Sequence, residues 1–63
     1  MKATIKQWRG LRGLSQPALG EKIGKTANTI LNWEKGYTSP TVDDMEALRQ
    51  ALGLKANDHI IVQ

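Results

Sequence analysis

The sequence predicts an all-α fold of short helices, and three observations carry that expectation. A chain of 63 residues without cysteine has neither disulfides nor thiolate metal sites. Its fold must stand on packing alone, which short helices achieve at this size more readily than a sandwich or barrel. Glycine, proline and capping residues cut the chain into five short segments. Within those segments, apolar residues recur at helical rather than alternating spacing.

Thr4, with Gln7 three residues on, fits a capping box that opens a first helix. This helix carries Ile5 and Trp8 on one face and stops at Gly13. Gly10 inside it costs about 1 kcal/mol relative to alanine, so the helix needs tertiary support. Ser15 caps the second helix, with Gln16 and Pro17 at its first two positions, where a missing N–H does no harm. Leu14 and Leu19 flank that cap at the spacing of a hydrophobic staple. Gly24 ends the helix after two turns.

Thr26 caps a third helix, Ala27 to about Lys35, which Gly36 ends. The connection Gly24-Lys25-Thr26 has the length and glycine placement of a helix-turn-helix spanning about residues 15–35. A turn at Tyr37-Thr38-Ser39-Pro40 leads to Thr41, which makes a second box-like cap with Asp44. Val42, Met45, Leu48 and Leu52 then form a stripe expected in the core, closed by Gly53. The final segment, KANDHIIVQ, reads either as a last helical turn or as an extended tail. Its Ile60-Ile61-Val62 triplet could complete the core, form a dimer contact, or do both.

Charge is unevenly spread. Residues 1–40 hold seven Lys/Arg against two Glu, a balance of +5, while residues 41–63 hold two against four, a balance of −2. The first two thirds would attract a polyanion. No apolar run exceeds three residues, against the ~20 a spanning helix needs, and the amino terminus lacks the apolar core of a signal peptide. A soluble, cytoplasmic protein is expected.

On a wheel at about 100° per residue, Ile30, Trp33, Glu34 and Thr29 share one half of the third helix. Ala27, Asn28, Leu31, Asn32 and Lys35 share the other, which is expected to face outward and bears no acid. Solvated faces ordinarily mix charges of both signs. Two amides interleaved with small or apolar side chains suit base edges instead: asparagine pairs bidentately with adenine, and alanine or leucine touches a thymine methyl.

The pattern Ile5-x-x-Trp8-Arg9-x-x-Arg12-Gly13-Leu14-Ser15-Gln16, then Leu19, Ile23-Gly24, TILNWEKG and SPTVDDMEALRQALGL, resembles the Cro/repressor-type helix-turn-helix family. That family includes the lambdoid phage repressors and many bacterial regulators. The resemblance runs from about Ile5 to Leu54. It implies a lambda-repressor-like bundle of five short helices, one domain over residues 1–63. The third helix would enter the major groove and the second would lie across the backbone.

By position, the resemblance implies base reading by Ala27, Asn28, Leu31 and Asn32. It implies phosphate contacts from Gln16, Lys25, Thr26, Lys35, Tyr37, Thr38 and Ser39. Gln16 would also buttress the third helix, and Arg9 with Glu34 would form a structural salt bridge between the first and third helices.

The function expected is sequence-specific binding of a double-stranded DNA operator by a repressor or Cro-like regulator. A weak homodimer on a pseudo-palindrome is expected, with half-sites about 34–36 Å apart. The alternative is a protein-binding modulator or antirepressor that pairs with a larger repressor, which the exposed Leu31, the modest charge and the short chain would permit. An enzyme is not expected: His59 is the only histidine, Ser15 and Ser39 sit at caps or turns, and no carboxylate pair or phosphate loop stands out. No metal or cofactor is expected.

Overall fold

The computed structural model describes residues 1–62. Strand β1 (Lys2–Thr4) runs directly into helix α1 (Ile5–Leu11), followed by α2 (Gln16–Ile23), α3 (Ala27–Lys35), α4 (Val42–Ala51) and strand β2 (His59–Ile61). All four helices begin on the expected caps. The Thr4 and Thr41 boxes close in both directions, with Thr4 N–H donating to Gln7 Oε1 at 2.9 Å and Thr41 N–H to Asp44 Oδ2 at 3.0 Å. Ser15 accepts from Ala18 N–H, and Thr26 from Thr29 N–H, each at 3.2 Å. Such caps are worth about 1 kcal/mol apiece, a large share for helices of seven to ten residues.

The expected fifth helix is absent among the described residues, and β2 takes its place. Lys55 N–H donates to Asp58 Oδ2, and Asp58 N–H to the Lys55 carbonyl, both at 3.0 Å, which makes a tight turn after α4. The β-branched Ile60 and Ile61 then favour extension. They find a partner in Lys2–Thr4, of which the sequence analysis placed only Thr4, as the cap of α1. The pairing is parallel, with Lys2 beside His59, Ala3 beside Ile60 and Thr4 beside Ile61. The Trp8 indole fixes it from below by donating to the His59 carbonyl at 3.0 Å. Gln63 lies outside the described residues.

The core comprises Ala3, Ile5, Trp8, Leu19, Ile30, Trp33, Leu48 and Leu52, with Leu14, Met45 and Ile60 packed against it. Burying side chains of the size of Leu19, Ile30, Leu48 and Leu52 contributes about 1.5–3 kcal/mol each. Val42 does not join the stripe assigned to it, being 86% exposed. As the first residue of α4 it stands outside the core, and the buried stripe begins one turn later at Met45. Arg12 closes the lower edge: its Nε donates to the Leu52 carbonyl at 2.7 Å while its guanidinium lies 5.4 Å from the Trp8 ring centroid, a cation–π contact.

Gly10 is helical, exposed and has nothing within 4 Å of where a Cβ would stand. Gly10→Ala is therefore expected to raise stability by about 0.5–1 kcal/mol. Chemical denaturation checks this, and a loss of stability would mean that α1 needs the glycine for a reason other than space.

Candidate nucleic-acid interface

The geometry starts from a close approach of backbone to backbone. The turn Gly24-Lys25-Thr26 folds back over α2, with Lys25 N–H donating to the Gly20 carbonyl at 2.8 Å. A Cβ on Gly20 would stand 2.6 Å from the Lys25 carbonyl oxygen, a separation that backbone atoms cannot relieve without moving. Gly24 sits at φ 71°, where glycine is favoured, so the chain reverses and enters α3 through the Thr26 cap. Gly20 was missed by the sequence analysis. Its signal was a glycine in a helix interior, a costly placement that marks close approach.

Two buried side chains, Ile30 (0% exposed) and Trp33 (5%), set the rotation of α3. Asn28 and Lys35 are exposed on the opposite side, with Ala27, Leu31 and Asn32 partly buried beside them. Leu31 is thus not the exposed residue the sequence analysis expected: it is partly buried although it lies about 100° round the helix from Ile30. No acid interrupts this outward surface.

Glu34 ties three helices together. Its Oε2 accepts from Arg9 Nε at 2.7 Å, and its Oε1 accepts from Arg9 Nη2 at 3.2 Å and from Gln16 Nε2 at 3.1 Å. Arg9 Nη1 also donates to the Leu14 carbonyl at 2.9 Å. α1, the cap region of α2 and α3 are therefore locked by one bidentate network whose carboxylate side chain is only 5% exposed. Burial alone would push the Glu34 carboxyl up. The hydrogen bonds from Arg9 and Gln16, with the charges of Arg9 and Lys6, outweigh it and hold the group below the usual carboxylate range.

The remaining expected contact residues surround α3. Thr26 is exposed, but its hydroxyl is engaged in the cap and in a 3.1 Å contact with the Thr29 hydroxyl. Lys25 is exposed and pairs with Asp44 at 3.5 Å across to α4, a partnership the sequence analysis did not foresee. Tyr37, Thr38 and Ser39 are exposed just beyond α3, Tyr37 at 73%. The Tyr37 amide donates to the Asn32 carbonyl at 2.9 Å, which folds this turn back over the helix end. Gln16 thus lies beside the C-terminal end of α3, through Glu34, while Lys25 and Thr26 lie at its N-terminal end.

Three comparisons bear on this arrangement. Residues 5–58 match the Helix-turn-helix family. An uncharacterized HTH-type transcriptional regulator of Methanothermobacter thermautotrophicus is 34% identical over 98% of this chain and 90% of its own length. Another, from Methanocaldococcus jannaschii, is 32% identical over 100% of this chain and 96% of its own. Among solved structures, the P22 c2 repressor in complex with synthetic operator 9T in the presence of Tl+ superposes with a TM-score of 0.76 at 31% identity, over 81% of this chain and 77% of that one. The glycine-seated turn, the inward tryptophan and the agreement along nearly the whole sequence lead to one conclusion: this chain belongs to the helix-turn-helix family.

Proposed function

We propose that the chain acts over residues 1–63 as one DNA-binding domain of a transcriptional regulator, a repressor or Cro-like protein that recognises a double-stranded operator by sequence. The observation that carries the reading is the orientation of α3: Ile30 and Trp33 are buried, so an acid-free face on which Asn28 and Lys35 are exposed turns outward. In the major groove, Asn28 and Asn32 each offer the donor and acceptor that adenine requires, while Ala27 and Leu31 present methyl groups to thymine. α2 crosses the backbone, as in other helix-turn-helix proteins. The P22 c2 repressor, solved on operator DNA, supports the same docking.

Phosphate contacts fall to Gln16, Lys25, Thr26, Lys35, Tyr37, Thr38 and Ser39. Gln16 Nε2 carries two hydrogens, so it serves a phosphate while still donating to Glu34. Lys25 reaches DNA by exchanging Asp44 for a phosphate. Arg9 and Glu34 stay structural. The reading assigns no catalytic group, metal or cofactor; His59 is an exposed strand residue. Such a regulator works in the cytoplasm beside the DNA, as a weak homodimer on a pseudo-palindrome. A modulator that pairs with a larger repressor loses one of the features that permitted it, since Leu31 is partly buried.

Selection of bound sites from random duplex DNA tests the proposal by giving base preference and half-site spacing together. On the best site, Asn28→Ala and Asn32→Ala are each expected to cost about 1–3 kcal/mol and to relax preference at one base pair. Lys35→Gln should instead weaken all sequences about equally and flatten the salt dependence. Wild-type affinity in both asparagine variants would show that a different face reads the bases.

A further inference from the structure

The outward face of α3 is ordered in two rows. Ala27 and Leu31 stand about one turn apart, as do Asn28 and Asn32, and the two pairs are set about 100° from each other round the helix. One row is apolar and the other consists of carboxamides. Among the described residues no hydrogen bond holds either asparagine side chain, whereas the amides of Gln7 and Gln16 are both engaged.

The side chains that read the other base pair are missing from this face. Guanine is recognised mainly by arginine or lysine, and cytosine by acids. The chain has three arginines, and each is committed elsewhere. Arg9 serves Glu34 and the Leu14 carbonyl, Arg12 the Leu52 carbonyl and the Trp8 ring, and Arg49 the carbonyls of Lys55 and Asp58. Lys35 lies about 10 Å along the helix axis from Asn28, and Lys25 pairs with Asp44. Glu34, the one acid of α3, is held by Arg9 with its side chain 5% exposed.

We infer that the operator core is built from A·T pairs and that the interface discriminates methyl groups in the major groove: it requires the C5-methyl of thymine and rejects a methyl on N6 of adenine. The inference rests on the proposed operator binding and deepens it, naming the bases and a modification of them that regulates the site.

The chemistry follows from the two edges of the pair. Adenine offers N7 as acceptor and N6–H as donor, which match the Nδ2–H and Oδ1 of an asparagine. An N6-methylated adenine keeps its pairing with thymine only if the remaining N6–H faces thymine O4. The methyl then occupies the N7 side, on the line along which Oδ1 accepts. An asparagine there meets a methyl in place of a donor, and its carbonyl oxygen is buried without a partner. Across the pair the thymine methyl stands against the apolar row, which shields it from water. Residues of one row are separated by about 6 Å, close to two base-pair steps of about 3.4 Å each, so the two asparagines address separate adenines. Ile30 and Trp33 fix the rotation of α3 from its inner face, so the helix cannot roll away from an added methyl.

Modified operators test this without altering the protein. In the best site selected from random duplex DNA, each adenine is replaced in turn by N6-methyladenine and each thymine by uracil, which lacks the methyl. Binding is followed by fluorescence anisotropy. At the adenine whose preference Asn28→Ala relaxes, methylation is expected to weaken binding about ten- to a hundredfold; uracil at a contacted thymine should weaken it about fourfold. Asn28→Ala should bind the site methylated at that adenine and the unmodified site within about twofold of each other, yet still respond to methylation at the adenine facing Asn32. A selected core of G·C pairs, equal binding of methylated and unmodified operators, an undiminished response in Asn28→Ala, or the same loss from a methyl outside the half-site would overturn the inference and leave operator binding standing. If no duplex sequence is enriched at all, the functional proposal falls first and this inference with it.

Discussion

Trp33→Ala is expected to leave much of the protein unfolded at room temperature. Truncating a buried tryptophan costs about 3–5 kcal/mol. A chain of 63 residues has a total stability on the order of 3–9 kcal/mol. The indole is 5% exposed and, with the fully buried Ile30, is what α3 presents to the rest of the molecule. Its loss therefore removes both packing and the restraint on how the helix is rotated. Trp33→Phe, which retains an aromatic ring, should recover more than half of the loss. Leu11→Ala, at an exposed position, should change stability by no more than about 0.5 kcal/mol. Thermal unfolding followed by circular dichroism ranks the three. An unchanged midpoint for Trp33→Ala would mean that the indole does not anchor α3, and the outward placement of Asn28 would fall with it.

The rotation of α3 was legible in the sequence because it depends on one helix alone. Helical geometry places Ile30 and Trp33 on one face, and these are the two residues there with most to gain from burial. The caps were legible for the same reason. A hydroxyl three residues ahead of an amide acts locally, and Thr4, Ser15, Thr26 and Thr41 all do so. Val42 shows where helical spacing stops being informative. It assigns an angle, but it cannot say how far along its axis a helix stays in contact with the core.

What the sequence hid lies between elements far apart in the chain. The extended form of HIIV is favoured by its β-branched residues, but its partner is the first few residues of the protein, and the Trp8 indole seals the pair from a third element. Local propensity contains no information about that meeting. Gly20 was flagged only as a costly glycine inside a helix, since its reason is the Lys25 carbonyl that the turn brings over it. Within the site, the asymmetry of charge pointed towards a polyanion, whereas the pairing of Lys25 with Asp44 required the α2–α4 packing to be known.

Glu34→Gln is expected to destabilise the domain by about 3 kcal/mol at neutral pH, because it leaves Arg9 without its counter-charge in a site where that guanidinium is only 16% exposed. Size is preserved, so the loss reports charge and hydrogen bonding rather than packing. The new amide would also turn donors towards Arg9 and Gln16, which are donors themselves. The pH dependence separates this mechanism from a general weakening. Glu34 is held below its unfolded-state pKa, so its contribution is complete above that unfolded value and disappears as the pH falls through the folded one. Asp44 and Asp58 are also held low, chiefly by the amides of Thr41 and Lys55, and they titrate alike in both proteins. The stability gap between wild type and Glu34→Gln should therefore narrow steadily in acid, as read from urea midpoints across a pH series. A gap that stays constant down to the acid limit would mean that the carboxylate's charge is not what binds α1 and α2 to α3. The rigidity that presents Asn28 and Asn32 to a duplex would then have to come from the apolar contacts of Ile30 and Trp33 alone.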